Sequence, residues 1–212
     1  MSIRKKTLYV ILLVVMAACF TSMFFSFQPK SAAAWTGTKL ITISSDTTWD
    51  NIRLNPDTTY EIKKGVTVTL VGTITVRGNI TITGGTIRTT PDAKGYFDAG
   101  YEYTTFTLND VTIDGEGNEY SDPIIKNGNS KTIINLNRCT IKDYKIKKNN
   151  GSGIIKLYGS ALNITNSTIT GCTGGAGMIQ TDAGADSVNK IKITSSNITD
   201  NKNRVFSGIS MD

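Results

Sequence analysis

One repeated pattern constrains the fold of this 212-residue chain more than any other feature. Five segments contain an apolar residue, any residue and a second apolar residue, followed five positions later by an isoleucine. A repeat of 20 to 50 residues predicts a solenoid, because each unit buries its apolar face only against its neighbours. We use the second apolar residues as anchors, spaced 26, 28, 28 and 29 residues apart: Ile82, Leu108, Leu136, Ile164 and Ile193.

The repeated segments have the composition of β-strands. They alternate apolar and polar residues, are rich in Ile, Val and Thr, and are interrupted at short intervals by Gly, Asn and Asp. A further apolar pair lies between successive repeats, so we expect at least three short strands in each turn. We expect a bend in left-handed backbone conformation two residues after each anchor, at Gly84, Asp110, Arg138, Asn166 and Ser195.

These features predict an all-β protein, a right-handed parallel β-helix with about five to seven rungs of 26–29 residues. The rungs are too long for the left-handed coil that is built from hexapeptides. Residues 80–212 hold the repeats, and residues 35–79 are expected to form an N-terminal cap and the first rung. No capping segment follows the last repeat, so we expect the chain to lack its C-terminal rungs or cap.

Three segments carry a resemblance to a known family: ITITGGTI (80–87), FTLNDVTIDGEG (106–117) and LNITNSTITG (162–171). From about Tyr60 to the C-terminus, the chain resembles the pectate-lyase-like (pectin-lyase-fold) superfamily of right-handed β-helix repeat proteins. The resemblance implies the fold and leaves the function open, because the superfamily includes lyases, hydrolases, adhesins and surface proteins.

The catalytic motifs of that superfamily have no counterpart in the chain. Its pectin hydrolases resemble one another in Asn-Thr-Asp, Asp-Asp and Gly-His-Gly motifs, and its lyases in an aspartate cluster that holds Ca²⁺ beside a basic residue. The chain has no histidine, no adjacent pair of aspartates and no Asn-Thr-Asp. We therefore assign no catalytic residues and leave enzymatic activity open, with a protein that is not an enzyme favoured.

Residues 1–34 have the layout of a secretory signal peptide. A basic start is followed by an apolar stretch from Leu8 to Phe27 and by small residues that end at Ala34. Cleavage near Ala34, retention as an N-terminal anchor and lipidation at Cys19 stay open. All three interpretations predict export, with an extracellular or cell-surface location.

The positive charge of the chain belongs mostly to this export segment. The chain has 23 basic and 17 acidic residues, a formal net charge of +6. Residues 1–34 contain four of the basic residues and no acid, which leaves 19 basic and 17 acidic residues, or +2. We therefore expect no nucleic-acid partner, and no membrane contact beyond the signal or anchor segment.

The long insertion at Pro91–Thr105 is the first candidate for ligand contact. Aromatic rings beside carboxylates suit sugars, which stack their C–H faces on rings and donate hydroxyl hydrogen bonds to acids. Burial of these rings in the core is the alternative. The predicted glycan-binding residues are Tyr96, Phe97, Tyr101, Glu102 and Tyr103, together with Tyr120 from the neighbouring loop.

Two further clusters and the cysteines complete the predictions. Asp114, Glu116 and Asp122 alternate oxygen ligands with glycines and form a candidate calcium site, or else a solvated acidic turn. A basic loop at 142–153 is either a solvated excursion or a contact for an acidic wall polymer. The repeat aligns Cys139 with Ser167, so we expect no disulfide between Cys139 and Cys172.

Three functions remain as hypotheses. A non-catalytic glycan-binding or adhesive module at the cell surface is favoured, with a polysaccharide or cell-wall glycan as partner. A truncated or degenerate polysaccharide lyase or glycoside hydrolase is the alternative, and a structural spacer is the second alternative. Apart from calcium, no cofactor is predicted.

Overall fold

The structure of the protein, a computed structural model, describes residues 38–91, 94–129, 131–147, 151–182, 189–203 and 205–207. The predicted signal peptide and Lys148 of the basic loop lie outside these residues. Within the described residues the secondary structure consists of strands, and no helix there is long and apolar enough to cross a membrane.

The strands are short and are separated by tight bends, as the interrupted apolar pattern predicted. In chain order they are β1 (Lys39–Ile43), β2 (Thr47–Trp49), β3 (Thr58–Ile62), β4 (Thr67–Leu70), β5 (Thr73–Thr75), β6 (Asn79–Thr83), β7 (Thr86–Thr89), β8 (Tyr96–Asp98), β9 (Thr105–Asn109), β10 (Thr112–Asp114), β11 (Glu119–Tyr120), β12 (Ile125–Lys126), β13 (Ile133–Asn137), β14 (Thr140–Lys142), β15 (Lys145–Ile146), β16 (Ile155–Tyr158), β17 (Ala161–Thr165), β18 (Thr168–Thr170), β19 (Ile179–Asp182), β20 (Lys190–Thr194), β21 (Asn197–Thr199) and β22 (Phe206–Ser207).

Three parallel sheets stack twenty of these strands into a β-solenoid, and β11 and β15 form a separate two-stranded parallel sheet. This arrangement confirms the predicted all-β, parallel β-helix architecture. The first sheet has the order β1-β3-β6-β9-β13-β17-β20, and the second has the order β2-β4-β7-β10-β14-β18-β21. The third runs from β5 through β8, β12, β16 and β19 to β22. Each sheet is formed by corresponding strands of successive turns, which lie about 4.8 Å apart.

The pairing register follows the predicted repeat residue for residue. The five anchors align along the first sheet, and the isoleucines five positions later align along the second. Register is specified this strongly because a slip of one residue would turn every inward side chain to solvent. In the earlier repeats the inward residues, among them Leu108, Ile113 and Ile164, are almost completely buried in one core. In the last repeat Ile193 is 37% exposed, and Ile191 and Ile198 are only partly buried.

The structure also confirms the predicted positions of the bends. The second residue after each anchor has a positive φ, from 50° at Asn166 and Ser195 to 74° at Gly84. At Gly84 an added Cβ would stand against the carbonyl of Ile62 in the preceding turn, so this bend requires glycine for space as well as conformation. The bends turn the chain from the first sheet to the second and bring each rung into register.

Residues 38–79 contribute strands to all three sheets. The aligned residues Ile41, Tyr60 and Ile82 are only 19 and 22 residues apart, so the first turns have shorter connections than the later ones. Side chains of this part, including Trp49 and Leu54, are buried in the same core. The different spacing explains why the repeat pattern of the later rungs does not extend into this segment.

The two described cysteines are free, as the register predicted. Ser167 aligns with Cys139 in the next rung, and its hydroxyl accepts a hydrogen bond from the Cys139 amide at 3.0 Å. The thiols of Cys139 and Cys172 contact main-chain carbonyls of their own and the preceding rungs. Burial raises the pKa of Cys172 to about 11, so this thiol stays protonated and unreactive at neutral pH.

Candidate functional site

Three of the six predicted glycan-binding residues lie together on the loop that joins β8 to β9. We define the corner cluster as Arg77, Tyr101, Glu102, Tyr103 and Lys131. The side chain of Tyr103 is 71% exposed, and its φ of 57° is unusual for a bulky residue. The loop therefore holds a large aromatic ring in solvent at a defined position.

Charged side chains fix the rings of the corner cluster. The Lys131 ammonium lies 5.0 Å from the centroid of the Tyr103 ring and donates to its hydroxyl oxygen at 3.2 Å. The same ammonium lies 3.6 Å from a Glu102 carboxylate oxygen. These two contacts, the Tyr103 hydrogen bond first and the Glu102 charge second, raise the pKa of Lys131. The Arg77 guanidinium lies 5.3 Å from the centroid of the Tyr101 ring.

A second polar surface adjoins the corner cluster on the outer side of the third sheet. This third-sheet face consists of Tyr96, Asp98, Lys126, Lys156, Gln180 and Asp182, which project outward from β8, β12, β16 and β19. Lys126 lies 5.5 Å from the centroid of the Tyr96 ring, and Lys156 forms an ion pair with Asp182 at 3.0 Å. Asp98 is only three residues before Tyr101, so the two surfaces are contiguous along the chain.

A cavity of about 190 Å³ opens at the edge of the third-sheet face. Its lining includes Lys126 and Lys156, which are paired residues of adjacent strands, together with Asp122 and Ser152. These two lysines were not among the residues predicted from the sequence, although each directly follows the apolar pair of its rung, Ile124-Ile125 or Ile154-Ile155. Polar groups of both signs converge there, as they do in pockets that orient a hydroxylated ligand.

The other two predicted glycan-binding residues, Phe97 and Tyr120, lie in the core instead of on a binding surface. Phe97 is fully buried on β8, aligned with Ile74 and Ile125, and its ring centroid is 5.0 Å from that of Phe106. Tyr120 stacks on Tyr144 at 4.2 Å and donates its hydroxyl to the carbonyls of Thr89 and Gly115. Both side chains point inward because alternate residues of a strand face the core, and Phe97 and Tyr120 occupy such positions.

Two of the three predicted calcium ligands, Asp114 and Glu116, form ion pairs with basic side chains. Asp114 lies 2.9 Å from the Lys142 ammonium, and Glu116 lies 3.1 Å from the Arg88 guanidinium. Asp122 borders the cavity of the third-sheet face. Across the described residues, no three acidic or cysteine side chains gather in a way that could hold a metal ion. Asp114, at the end of β10, and Glu116, just beyond it, therefore pair with basic residues of the neighbouring strands β14 and β7.

The Asp114 contacts predict a pH-dependent contribution to stability. Partial burial opposes ionisation, but the hydrogen bonds from Lys142 and from the Glu116 amide outweigh it and lower the pKa of Asp114. A lowered pKa stabilises the fold above the ordinary aspartate value of about 3.9, and this stabilisation is lost as the pH falls through the folded-state pKa.

We therefore expect Asp114→Asn to lower the free energy of unfolding by about 1 kcal/mol at pH 7. The difference from the unmodified chain should shrink as the pH is lowered below about 4. Urea unfolding between pH 3 and pH 7 measures it, with exposed Asp200→Asn as the matched control. If Asp114→Asn lowers the free energy of unfolding by the same amount at every pH, the lowered pKa of Asp114 does not contribute to stability.

Comparison with known proteins identifies no relative: no protein-family model, curated protein or solved structure matches the chain.

Proposed function

We propose that the chain is an exported right-handed β-helix of the pectate-lyase-like superfamily that binds a glycan without catalysing a reaction. The binding site is the corner cluster, and the third-sheet face extends it. One observation carries this proposal: Tyr103 presents an exposed ring whose position is held by Lys131 and Glu102. Such a module acts at the cell surface or outside the cell, as an adhesive or scaffolding element.

The corner cluster offers both kinds of contact that a sugar requires. A pyranose ring stacks its C–H face on an aromatic ring, which removes apolar area from water on both partners. Glu102 accepts hydrogen bonds from sugar hydroxyls, and Arg77 and Lys131 donate to ring or hydroxyl oxygens. Because Lys131 already restrains Tyr103, binding costs little additional side-chain entropy.

The third-sheet face lengthens this site into a track. Tyr96 offers a second ring, half-buried and flanked by Asp98 and Lys126. The rungs repeat about every 4.8 Å, so successive side chains along the sheet can contact an extended chain of sugar units. A polysaccharide or cell-wall glycan fits such a track better than a monosaccharide does.

Binding of the full chain to an array of plant, bacterial and animal glycans tests this proposal. For any glycan that binds, Tyr103→Ala should weaken the affinity about tenfold, because loss of one stacking ring removes about 1.4 kcal/mol. Tyr103→Phe keeps the ring and should retain most of the affinity. Leu40→Ala, which shortens another strongly exposed apolar side chain three rungs away, is the control and should bind normally.

Two outcomes would contradict the proposal. Absence of binding to every glycan on the array would favour a structural spacer. Equal loss of affinity in Tyr103→Ala and Leu40→Ala would show that binding does not depend on the corner cluster.

A further inference from the structure

A fourth, short parallel ladder lies between the second and third sheets, away from the corner cluster. It begins with the pairing of β11 and β15, which aligns Glu119 with Lys145. Single bridges continue it from Lys145 to Thr173 and from Thr173 to Lys202. In four successive rungs this ladder therefore carries Glu119, Lys145, Thr173 and Lys202, in that order.

This ladder lines a groove of about 390 Å³. We define the lysine groove as Glu119, Lys145, Thr173, Gly174, Gly175 and Lys202. Ile146 also borders it, but its side chain is buried in the core, so the groove presents mainly charged and polar side chains and main-chain atoms. Its volume falls within the range of small-ligand pockets, about 300–1,000 Å³, and accommodates a sugar-sized unit with one charged substituent.

The charges of the lysine groove are not neutralised within the described residues. Six ion pairs occur there, and they engage Lys63, Arg88, Lys131, Arg138, Lys142 and Lys156. Neither Lys145 nor Lys202 takes part in an ion pair with a described acid, although Glu119 borders the same groove. Two lysines and one glutamate leave a net positive charge, and exposed Lys147 follows at the end of β15.

The ladder geometry places both lysines within reach of one anion. Lys145 and Lys202 are two rungs apart, which is about 10 Å between their backbones. Each lysine stem spans several ångströms, so both ammonium groups can reach Thr173, the residue that lies between them on the ladder. A compact anion with several acceptor oxygens can then receive charge-assisted hydrogen bonds from both sides.

We propose that the lysine groove binds an anionic substituent, a phosphate or carboxylate group, carried by a glycan polymer. Lys145 and Lys202 hold the charged oxygens, and Thr173 donates its hydroxyl. Glu119 lies at the far end of the ladder, where it accepts a hydroxyl and repels a second anion. The site is separate from the corner cluster and does not depend on its function.

Titration of the full chain at low ionic strength with two probes tests the proposal. One probe is a short linear polyphosphate and the other is an oligouronate; a neutral oligosaccharide of similar length serves as the reference. At least one anionic probe should bind, more weakly as salt is added. The probe that binds more tightly identifies the substituent as phosphate or carboxylate.

The double variant Lys145→Ala/Lys202→Ala should weaken binding of that probe at least tenfold, since it removes the charge-assisted hydrogen bonds from both lysines. The matched control Lys190→Ala/Lys192→Ala removes two exposed lysines from β20 and should change the affinity by less than about twofold. Tyr103→Ala should also leave it unchanged, which separates this site from the corner cluster.

Three results would overturn the proposal: no binding of either anionic probe, equal weakening in the two lysine variants, or equal binding of the neutral oligosaccharide. Equal weakening would show that the anion responds to overall charge and not to the lysine groove.

Discussion

Phe97→Ala is expected to lower the free energy of unfolding by about 3–5 kcal/mol, the cost of removing a fully buried aromatic side chain. The ring lies between Ile74 and Ile125 on the third sheet and packs against Phe106 of the first. Truncation therefore opens a cavity where two sheets meet, and the regular stacking of neighbouring rungs limits how far the core can collapse into it. Urea unfolding followed by circular dichroism measures the loss.

Phe97→Leu provides the matched control for this prediction. Leucine fills much of the volume in an apolar site and should cost less than about 1.5 kcal/mol. Because Phe97 is buried, Phe97→Leu should keep its glycan affinity, whereas Tyr103→Ala should lose affinity and keep its stability. If Phe97→Ala is stable but binds glycan poorly, Phe97 belongs to the binding site and not to the core.

The anchors and bends could be predicted because they repeat. A position such as Leu136 has an equivalent in every later rung, so its burial is specified by several independent copies of the pattern. The burial of Phe97 carried the same kind of signal, since it lies 28 residues before its partner Ile125. Its place among tyrosines in an insertion concealed that spacing and favoured the incorrect surface assignment.

The side chains around Tyr103 could not be predicted in this way. Arg77 and Lys131 lie in connections of different lengths, and no periodic position specifies that they meet the tyrosines of the β8–β9 loop. Their approach depends on how each connection leaves its rung. The repeat therefore predicts the scaffold well, and it predicts an outward side chain only where the residue belongs to a strand, as Lys126 and Lys156 do.

Asn127 is a buried polar residue that the sequence did not reveal. Its side chain is 1% exposed, at the end of β12. The amide nitrogen donates to the carbonyls of Asn129, at 2.7 Å, and Ala99, at 3.3 Å. The amide oxygen accepts hydrogen bonds from the Tyr158 amide and the Ser160 hydroxyl, each at 2.8 Å. One side chain thus links three successive rungs at a corner of the coil.

We expect Asn127→Ala to lower the free energy of unfolding by about 3 kcal/mol, since a buried group left without a partner costs about 1–3 kcal/mol. The Tyr158 amide loses its acceptor, and the Asn129 carbonyl loses its donor. The Ser160 hydroxyl can turn to the nearby carbonyls of Tyr158 or Asn129, which limits the loss. Asn129→Ala keeps the carbonyl that Asn127 uses and should cost much less.

Asn127→Asp separates the hydrogen-bonding role from simple packing, because it preserves the size and shape of the side chain. The new carboxyl group would face the carbonyls of Ala99 and Asn129, which repel a negative charge, and burial disfavours ionisation as well. Its folded-state pKa should therefore be raised, so the variant keeps most of its stability at pH 4 and loses it as the pH rises to 7. The unmodified chain and Asn129→Asp should not show this trend. If Asn127→Asp is as stable as the unmodified chain at pH 7, Asn127 does not organise this corner, and the rungs are held there by their main-chain ladders alone.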